Sequence, residues 1–389
     1  MMKTNFILIL IVTMAINSGM GLIIPVLPNL IVEDGYSLLG LSLPFLTLVF
    51  ARILIKPYTG RLLYSFSAKS LLMVASVLYG LVFYVYSLNI DPTYFAALRF
   101  LEGLVEGIVG VIVTDRAIAY SSNAENKGLL MGLFSASFGA GFLLGPLVGS
   151  LTYTHFGLEA MFLSGCVFGI LSLIASMLLP KESPKKTMPP FPGIIKVSWQ
   201  SKKYLGIYLP NILRRALLFS FMILVPLYVV NKFGISIKEV GYIFVTSAII
   251  TTILLPITGK LADRVDENKL VIFGLSAMAI SIALIPLTST VSEFLVLYVV
   301  ETIAFAIMLP AATKIFADEV ADDPNRPAIV GAFTGLIEVV TLILAIGLPV
   351  MYGQNIESSW VLLAMVTGIS IVPFVKRKSS YEPLEVNAQ

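Results

Sequence analysis

The residues with chemistry to offer lie where a chain of this composition can least accommodate them. Leu98–Gly110 reads LRFLEGLVEGIVG, and Arg99, Glu102 and Glu106 interrupt it at i, i+3 and i+7. A helix places all three on one face. Arg99 favours the ionised form of Glu102, whereas burial favours the neutral acid. A carboxyl group balanced between the two can take up and release a proton. The same residues also suit a static pair that only ties helices together. The flanking apolar run is long enough to cross a bilayer, where a charge costs about 2.5–3.5 kcal/mol on insertion scales. The charged face is therefore expected to line a water-filled path or to meet partners inside a bundle.

Other ionisable groups recur at comparable depth. Well inside apolar runs stand Arg52, Arg99, Arg214 and Arg215 against Glu102, Glu106, Glu301 and Glu338, so the interior charges can pair among themselves. Lys56, Asp115 and Lys314 lie nearer the ends of their runs and are expected to reach water. Arg214 and Arg215 are neighbours and point about 100° apart on a helix. One is expected to meet an acid such as Glu301 or Glu338, which leaves the other as a candidate for an anionic ligand. Asn17 is the main strongly polar group of the first run. With 1 cysteine, Cys166, and 1 histidine, His155, the chain offers no intrachain disulfide and no His/Cys metal cluster. Any proton relay has to run through carboxylates. There is no HExxH, no nucleotide-binding loop, and no serine or cysteine with a nearby histidine, so no enzyme chemistry is expected.

The scaffold for these groups is an all-α polytopic membrane protein. The chain is 57% hydrophobic and 13% charged, with a mean hydropathy of +0.93, where soluble domains carry about 25% charged residues. Apolar runs of about 18–25 residues predict 12 transmembrane helices, near 5–30, 37–60, 69–88, 94–117, 128–152, 158–180, 205–231, 238–259, 269–288, 293–317, 328–351 and 357–375. The first begins like a signal peptide, but no small-residue cleavage site follows, and it is read as a retained span. With a cytoplasmic N-terminus, 18 of the 26 Lys and Arg residues fall on inside segments and 2, Lys232 and Lys238, outside. Both termini are thus expected in the cytoplasm of a multi-pass protein of the cell membrane. The net charge of +3 is spread through short loops and offers no nucleic-acid surface.

The basic, Pro-rich loop Pro180–Lys203 divides the spans six and six. The expected layout is an N-terminal half 1–180, a linker 181–204, a C-terminal half 205–376 and a cytoplasmic tail 377–389. Ile194–Lys203 suits either an interfacial helix or a plain linker. The halves align at an offset of 199, which pairs Gly35 with Gly234, Pro57 with Pro256, Gly60 with Gly259, Leu62 with Leu261, Leu98 with Leu297, Glu102 with Glu301, Asn126 with Asn325 and Gly132 with Gly331. Two pseudo-symmetric halves with a site at their interface form the build of an alternating-access carrier.

Three local patterns complete the reading. In GKLADRVDENK, Gly259 lets two helices approach, Asp263 can cap the next helix or pair with a basic residue, and Arg264 and Lys269 sit in a basic loop. The first-half copy, GRLLYSFSAK, keeps Gly60, Arg61 and Lys69 but has Tyr64 where the acid belongs. In GAGFLLGPLVGS, Gly141, Gly145 and Gly149 form a smooth strip for close helix contact, and Pro146 bends the span. Together with Arg99, Glu102 and Gly103, these patterns resemble the major facilitator superfamily. They are similar to its cytoplasmic loop signature, to its fourth-span R-x-x-q-G and to its antiporter signature G-x-x-x-G-P-x-x-G-G, in which Ser150 replaces the last glycine. IIPVLPNL, at Ile23–Leu30, resembles the drug:proton antiporter branch, although the first span carries no acid.

The resemblance implies the major facilitator fold and a secondary active transporter that exports small lipophilic or drug-like compounds in exchange for protons. In proton-coupled relatives that arginine assists proton transfer by shifting a neighbouring acid. The role falls here on Arg99 and Glu102, with Glu301, Glu106 and Glu338 as further candidates. The loop motif, Gly60, Arg61, Gly259, Asp263 and Arg264, implies a latch between the halves; two ordinary basic loops are the other reading. Substrate is expected between the halves among Phe45, Phe219 and Phe305, near Asn17, Arg52, Arg214 and Arg215. The expected partners are a small-molecule substrate and the bilayer, in a monomer with no nucleic acid and no cofactor, driven by the proton gradient. One alternative is a carrier of a small anionic metabolite or sugar that uses the embedded arginines. A second is a non-transporting sensor on the same scaffold.

Overall fold

Apolar helices are the outcome that a water-free surrounding enforces, because each backbone N–H and C=O must then be satisfied within its own segment. The computed structural model describes residues 2–23, 38–88, 94–182, 220–221 and 224–375, and these contain helices and turns but no strand. In chain order the helices are α1 (Met2–Leu22), α2 (Leu38–Ser65), α3 (Ala68–Ser87), α4 (Phe95–Ser121) and α5 (Lys127–Leu178), then α6 (Leu224–Phe233). There follow α7 (Ile237–Leu261), α8 (Glu267–Leu284) with a 3-10 turn at Ile285–Leu287, α9 (Val291–Val320), α10 (Arg326–Gln354), α11 (Ile356–Ile369) and α12 (Val372–Val375). Every one of the 12 expected spans has a helical counterpart, although only the last part of the seventh is described. The fifth and sixth spans run into each other as α5, which is broken at Gly157, where a φ of 82° takes the chain into a conformation that glycine adopts without strain. The twelfth is split into α11 and α12 by a turn. Arg214, Arg215 and Phe219, and the prolines of Ile23–Leu30, lie outside the described residues.

By packing, the chain forms two compact units. One comprises Met1–Tyr120, Ser137–Ser201 and Val320–Ile343; the other comprises Ser121–Ala136, Lys202–Glu319 and Leu344–Gln389. These units follow contacts, whereas the halves 1–180 and 205–376 follow the repeat, and the two divisions describe different properties.

In the first unit, glycines bring helices to backbone contact. Gly141 lies against Met14, Asn17 and Ser18, Gly145 against Ser18 and Gly21, and Gly149 against Leu22, so the glycine strip of α5 seats on α1. Gly103 lies against Leu48 and Ala51, and Gly107 against Ile55, which fixes α4 on α2. The Tyr79 hydroxyl donates to the Ile16 carbonyl at 2.7 Å and holds α3 on α1. Gly60 faces Pro327 and Ala328, and Gly331 faces Gly60 and the Lys56 carbonyl, which joins α2 to α10.

In the second unit, Gly259 faces Gly128 and Gly132, while Gly132 faces the Leu255 carbonyl, so α7 joins the start of α5. A shift of 199 residues converts Gly60, Pro327, Gly331 and Lys56 into Gly259, Gly128, Gly132 and Leu255. The contact of α2 with α10 is therefore the repeat image of the contact of α7 with α5. Thr258 donates to the Ala306 carbonyl at 2.6 Å and ties α7 to α9. Phe221, Tyr228, Phe294, Tyr298 and Trp360 pack ring on ring with centroids 5.4–5.9 Å apart, the spacing at which aromatic pairs attract beyond their buried area.

A side chain at Gly145 has to displace α1 backbone, whereas one at Gly110 meets open space. Overpacking costs about 1–3 kcal/mol and sometimes more. Gly145→Leu is accordingly expected to lower the thermal midpoint of the detergent-purified protein well below that of Gly110→Leu, as read by size-exclusion fluorescence after heating. Equal midpoints contradict the packing described.

Candidate functional site

Charge burial in the first unit is concentrated on α2, α4 and α10. Arg99 lies one turn before Glu102 on α4, and its Nη1 donates to both carboxylate oxygens at 3.1 Å. From α3, the Tyr86 hydroxyl donates to Glu102 Oε2 at 2.9 Å. Glu102 is fully buried. The Tyr86 ring is held by a stacked contact with Phe162 at 5.1 Å, and the Arg99 guanidinium sits over Phe95 at 5.6 Å. The carboxylate of Glu102 thus accepts three charge-assisted hydrogen bonds, which are roughly twice as strong as neutral ones. Nothing in the sequence marks Tyr86, because an aromatic residue in an apolar helix reads as ordinary core.

Glu106, one turn further along α4, leaves this cluster and pairs with Arg52 of α2. Arg52 also approaches the Met20 sulfur at 3.1 Å. One turn beyond Arg52, Lys56 binds Glu338 of α10 at 2.5 Å, and their side chains are 3% and 0% exposed. The expectation that Lys56 reaches water is corrected here: its ammonium turns into the bundle because a carboxylate 282 residues away stands opposite. Three acids, Glu102, Glu106 and Glu338, thus meet three bases, Arg99, Arg52 and Lys56. The closure has a physical cause, since removing one member of a buried pair costs about 3–5 kcal/mol.

Glu301, the repeat mate of Glu102, is placed differently. It is buried on α9, one turn after Tyr298, and has no ion pair or hydrogen bond among the described residues. Its neighbour Thr302 shares a hydrogen bond with Ser247 at 3.2 Å. Asn17 is half-buried, and its amide donates to the Thr13 carbonyl of its own helix at 2.7 Å. Phe45 is half-buried on α2, and Phe305 packs against Leu255 and its apolar neighbours.

The loop-motif residues close the ends of helices. Asp263 caps α5, accepting from the Gly128 N–H at 2.6 Å and the Leu129 N–H at 2.9 Å. Lys314 stands 3.7 Å from it. Capping of the following helix α8 falls instead to Asp266, which accepts from the Asn268 N–H. In the first copy, Tyr64 donates to the Pro324 carbonyl at 3.3 Å. Arg61 is half-buried and Arg264 is exposed. Asp115, expected in water, is fully buried between Arg326 at 2.8 Å and Arg116 at 2.5 Å. In the second unit Lys127 pairs with Asp318. Arg326 and Lys127 are the first residues of α10 and α5 and are repeat mates, a signal the sequence carried in plain view.

The comparisons with known proteins agree with this architecture. The profile of the family described as Major Facilitator Superfamily matches residues 9–217 and 207–388. The chain is similar to Multidrug resistance protein 2 of Bacillus subtilis (strain 168), at 24% identity over 328 residues and 80% of each chain. It is also similar to Quinolone resistance protein NorA of Staphylococcus aureus (strain COL), at 25% identity over 310 residues, 77% of this chain and 78% of that protein. The crystal structure of the human organic anion transporter MFSD10 superposes with a TM-score of 0.81 at 14% identity, over 96% of this chain and 99% of that one, which shows a shared fold. Its helices, its repeat and these matches make the chain a member of the major facilitator superfamily of membrane transporters.

Proposed function

We propose that the chain is a secondary active transporter of the cell membrane that works by alternating access and exports small lipophilic, drug-like compounds in exchange for protons. The observation that carries the reading is the buried cluster of Arg99, Glu102 and Tyr86. The names of two relatives, which refer to multidrug and quinolone resistance, support the substrate class.

The cluster suits proton coupling because it changes character on protonation. Ionised Glu102 is satisfied by Arg99 and Tyr86. A proton on Glu102 removes the negative charge that Arg99 binds and leaves a guanidinium buried without its counter-charge, a costly arrangement. The local structure then favours a rearrangement in which Arg99 finds another partner, so the proton biases one conformation over the other. Glu301 is a second acid for the cycle, since an ionised carboxylate there lacks a counter-charge among the described residues. Asp263, capping α5, and the pairs around Asp115 serve as the latch, and both termini face the cytoplasm. The chain acts as a monomer, with the proton gradient as its energy source and no bound cofactor. The reading as a carrier of small anions loses one of its counter-charges, because Arg52 is engaged by Glu106.

In everted vesicles energised by a pH gradient, Glu102→Gln is expected to abolish uphill accumulation of ethidium while exchange down an ethidium gradient persists. Unchanged uphill accumulation overturns the assignment of Glu102, and accumulation of an organic acid in place of ethidium points to the anion carrier. Arg99→Lys keeps the charge but not the two-oxygen contact. At about 1.5–3 kcal/mol for a hydrogen bond to a charged group, it is expected to lower the gradient-driven rate roughly tenfold or more. A wild-type rate in the same assay contradicts the role given to Arg99.

A further inference from the structure

The contact of α2 with α10 and that of α7 with α5 are repeat images at their glycines, yet different chemistry closes each. Along the first, Tyr64 meets Pro324, Gly60 meets Pro327 and Ala328, and Gly335 meets Pro57. The series ends on Lys56, bound to Glu338 at 2.5 Å and within 3.5 Å of the Thr334 carbonyl. Along the second, the position of Lys56 is taken by Leu255 and that of Glu338 by Gly139. Leu255 there packs with Ala136, Ala306 and Leu309, so this end is apolar.

The other end is reversed. The second contact is held there by Asp263, which accepts from the Gly128 and Leu129 N–H groups. In the first, Tyr64 stands in place of the acid, and the position of Gly128 is taken by Pro327, which has no N–H to give. Loss of the acid goes with loss of one of the two donors, so the carboxylate cap has no counterpart at this end of α2 and α10. An ion pair stands at the opposite end instead.

We infer that Lys56 and Glu338 form an electrostatic lock that keeps α2 and α10 together, with Lys56 as a positioning residue that no loop motif reveals. Parting the two helices separates a lysine and a glutamate that are almost completely buried. Each then needs another partner or water before the helices can part. Removing one member takes away the closest counter-charge of the other. Although Arg52 still attracts Glu338, the remaining charge is held less well, and the helices open more readily to hydrate it. Removing both charges together leaves an apolar contact of the kind the other copy already uses. The place of the lock in a transport cycle rests on the alternating-access reading, but the lock itself is a property of one helix contact and is measured without transport.

The test places a cysteine at Ala328, which is 1% exposed and packs on Tyr64, in a Cys166→Ser background, and follows maleimide labelling of the purified full chain. Lys56→Leu and Glu338→Gly are each expected to speed labelling on the order of tenfold or more, given the cost of stranding one buried charge. The pair Lys56→Leu with Glu338→Gly, which installs the residues of the other copy, and the reversal Lys56→Glu with Glu338→Lys are expected to return labelling to within about threefold of the parent. Single variants that label at the parent rate overturn the lock. So do paired variants that label as fast as the single ones, because packing rather than charge is then responsible. If the single variants do not fold, the paired ones decide on the same criterion. Loss of the lock alongside intact Glu102-dependent efflux, or the converse, separates this inference from the proton-coupling reading.

Discussion

A charge held away from water needs a partner, and the first unit of this chain is arranged to meet that demand on α2, α4 and α10. Arg99 with Glu102, Arg52 with Glu106 and Lys56 with Glu338 close three acids on three bases across three helices. Each pair constrains the helices that carry it: α4 is tied to α3 through Tyr86, α2 to α4 through Arg52, and α2 to α10 through Lys56. Buried pairs of this kind contribute little net stability compared with apolar packing. In the proposed reading they confer sensitivity, with a change of charge on one member shifting the preferred position of the helix that carries it.

Close helix approach is the second requirement, and glycine supplies it. The α5 strip of Gly141, Gly145 and Gly149 seats on α1, and the repeated pairs Gly60–Gly331 and Gly259–Gly132 let backbones touch. Association of this sort depends on packing, because lipid gives apolar side chains no preference for one another over the tails. The repeat preserved the glycines and let the charges diverge. Asp263 and Gly128 form a helix cap in one copy, Tyr64 and Pro327 cannot form it in the other, and that other copy carries the ion pair of Lys56 with Glu338 at its opposite end.

Much of this was legible in the sequence. Spans, repeat and glycine strip follow from local patterns of hydropathy and spacing, and the Arg99–Glu102 pair follows from the helical period alone. The partner of Lys56 and the distant partner of Asp115 were not legible, because those charges lie 282 and 211 residues away. Position near a span end suggested water for both residues, and rotation of the helix face decided otherwise. The three charges of α4 share a face by spacing, yet Glu106 turns to α2 while Glu102 stays with Arg99 and Tyr86, a division set by which helices flank the face. Of the two roles the sequence allows Asp263, pairing with a basic residue is met by Lys314 at 3.7 Å, whereas its capping goes to α5 rather than to the next helix, α8.

The link between a charge and a helix position is what proton coupling requires, and it makes a direct demand on binding. If Glu102 holds the exchangeable proton, a lipophilic cation that binds has to displace it. Proton release on adding tetraphenylphosphonium to the purified chain, read with a pH indicator in weakly buffered detergent solution, measures this without a gradient or a membrane. Coupling through Glu102 predicts release on binding that is lost in Glu102→Gln. Binding without release, or equal release from the variant, would contradict it.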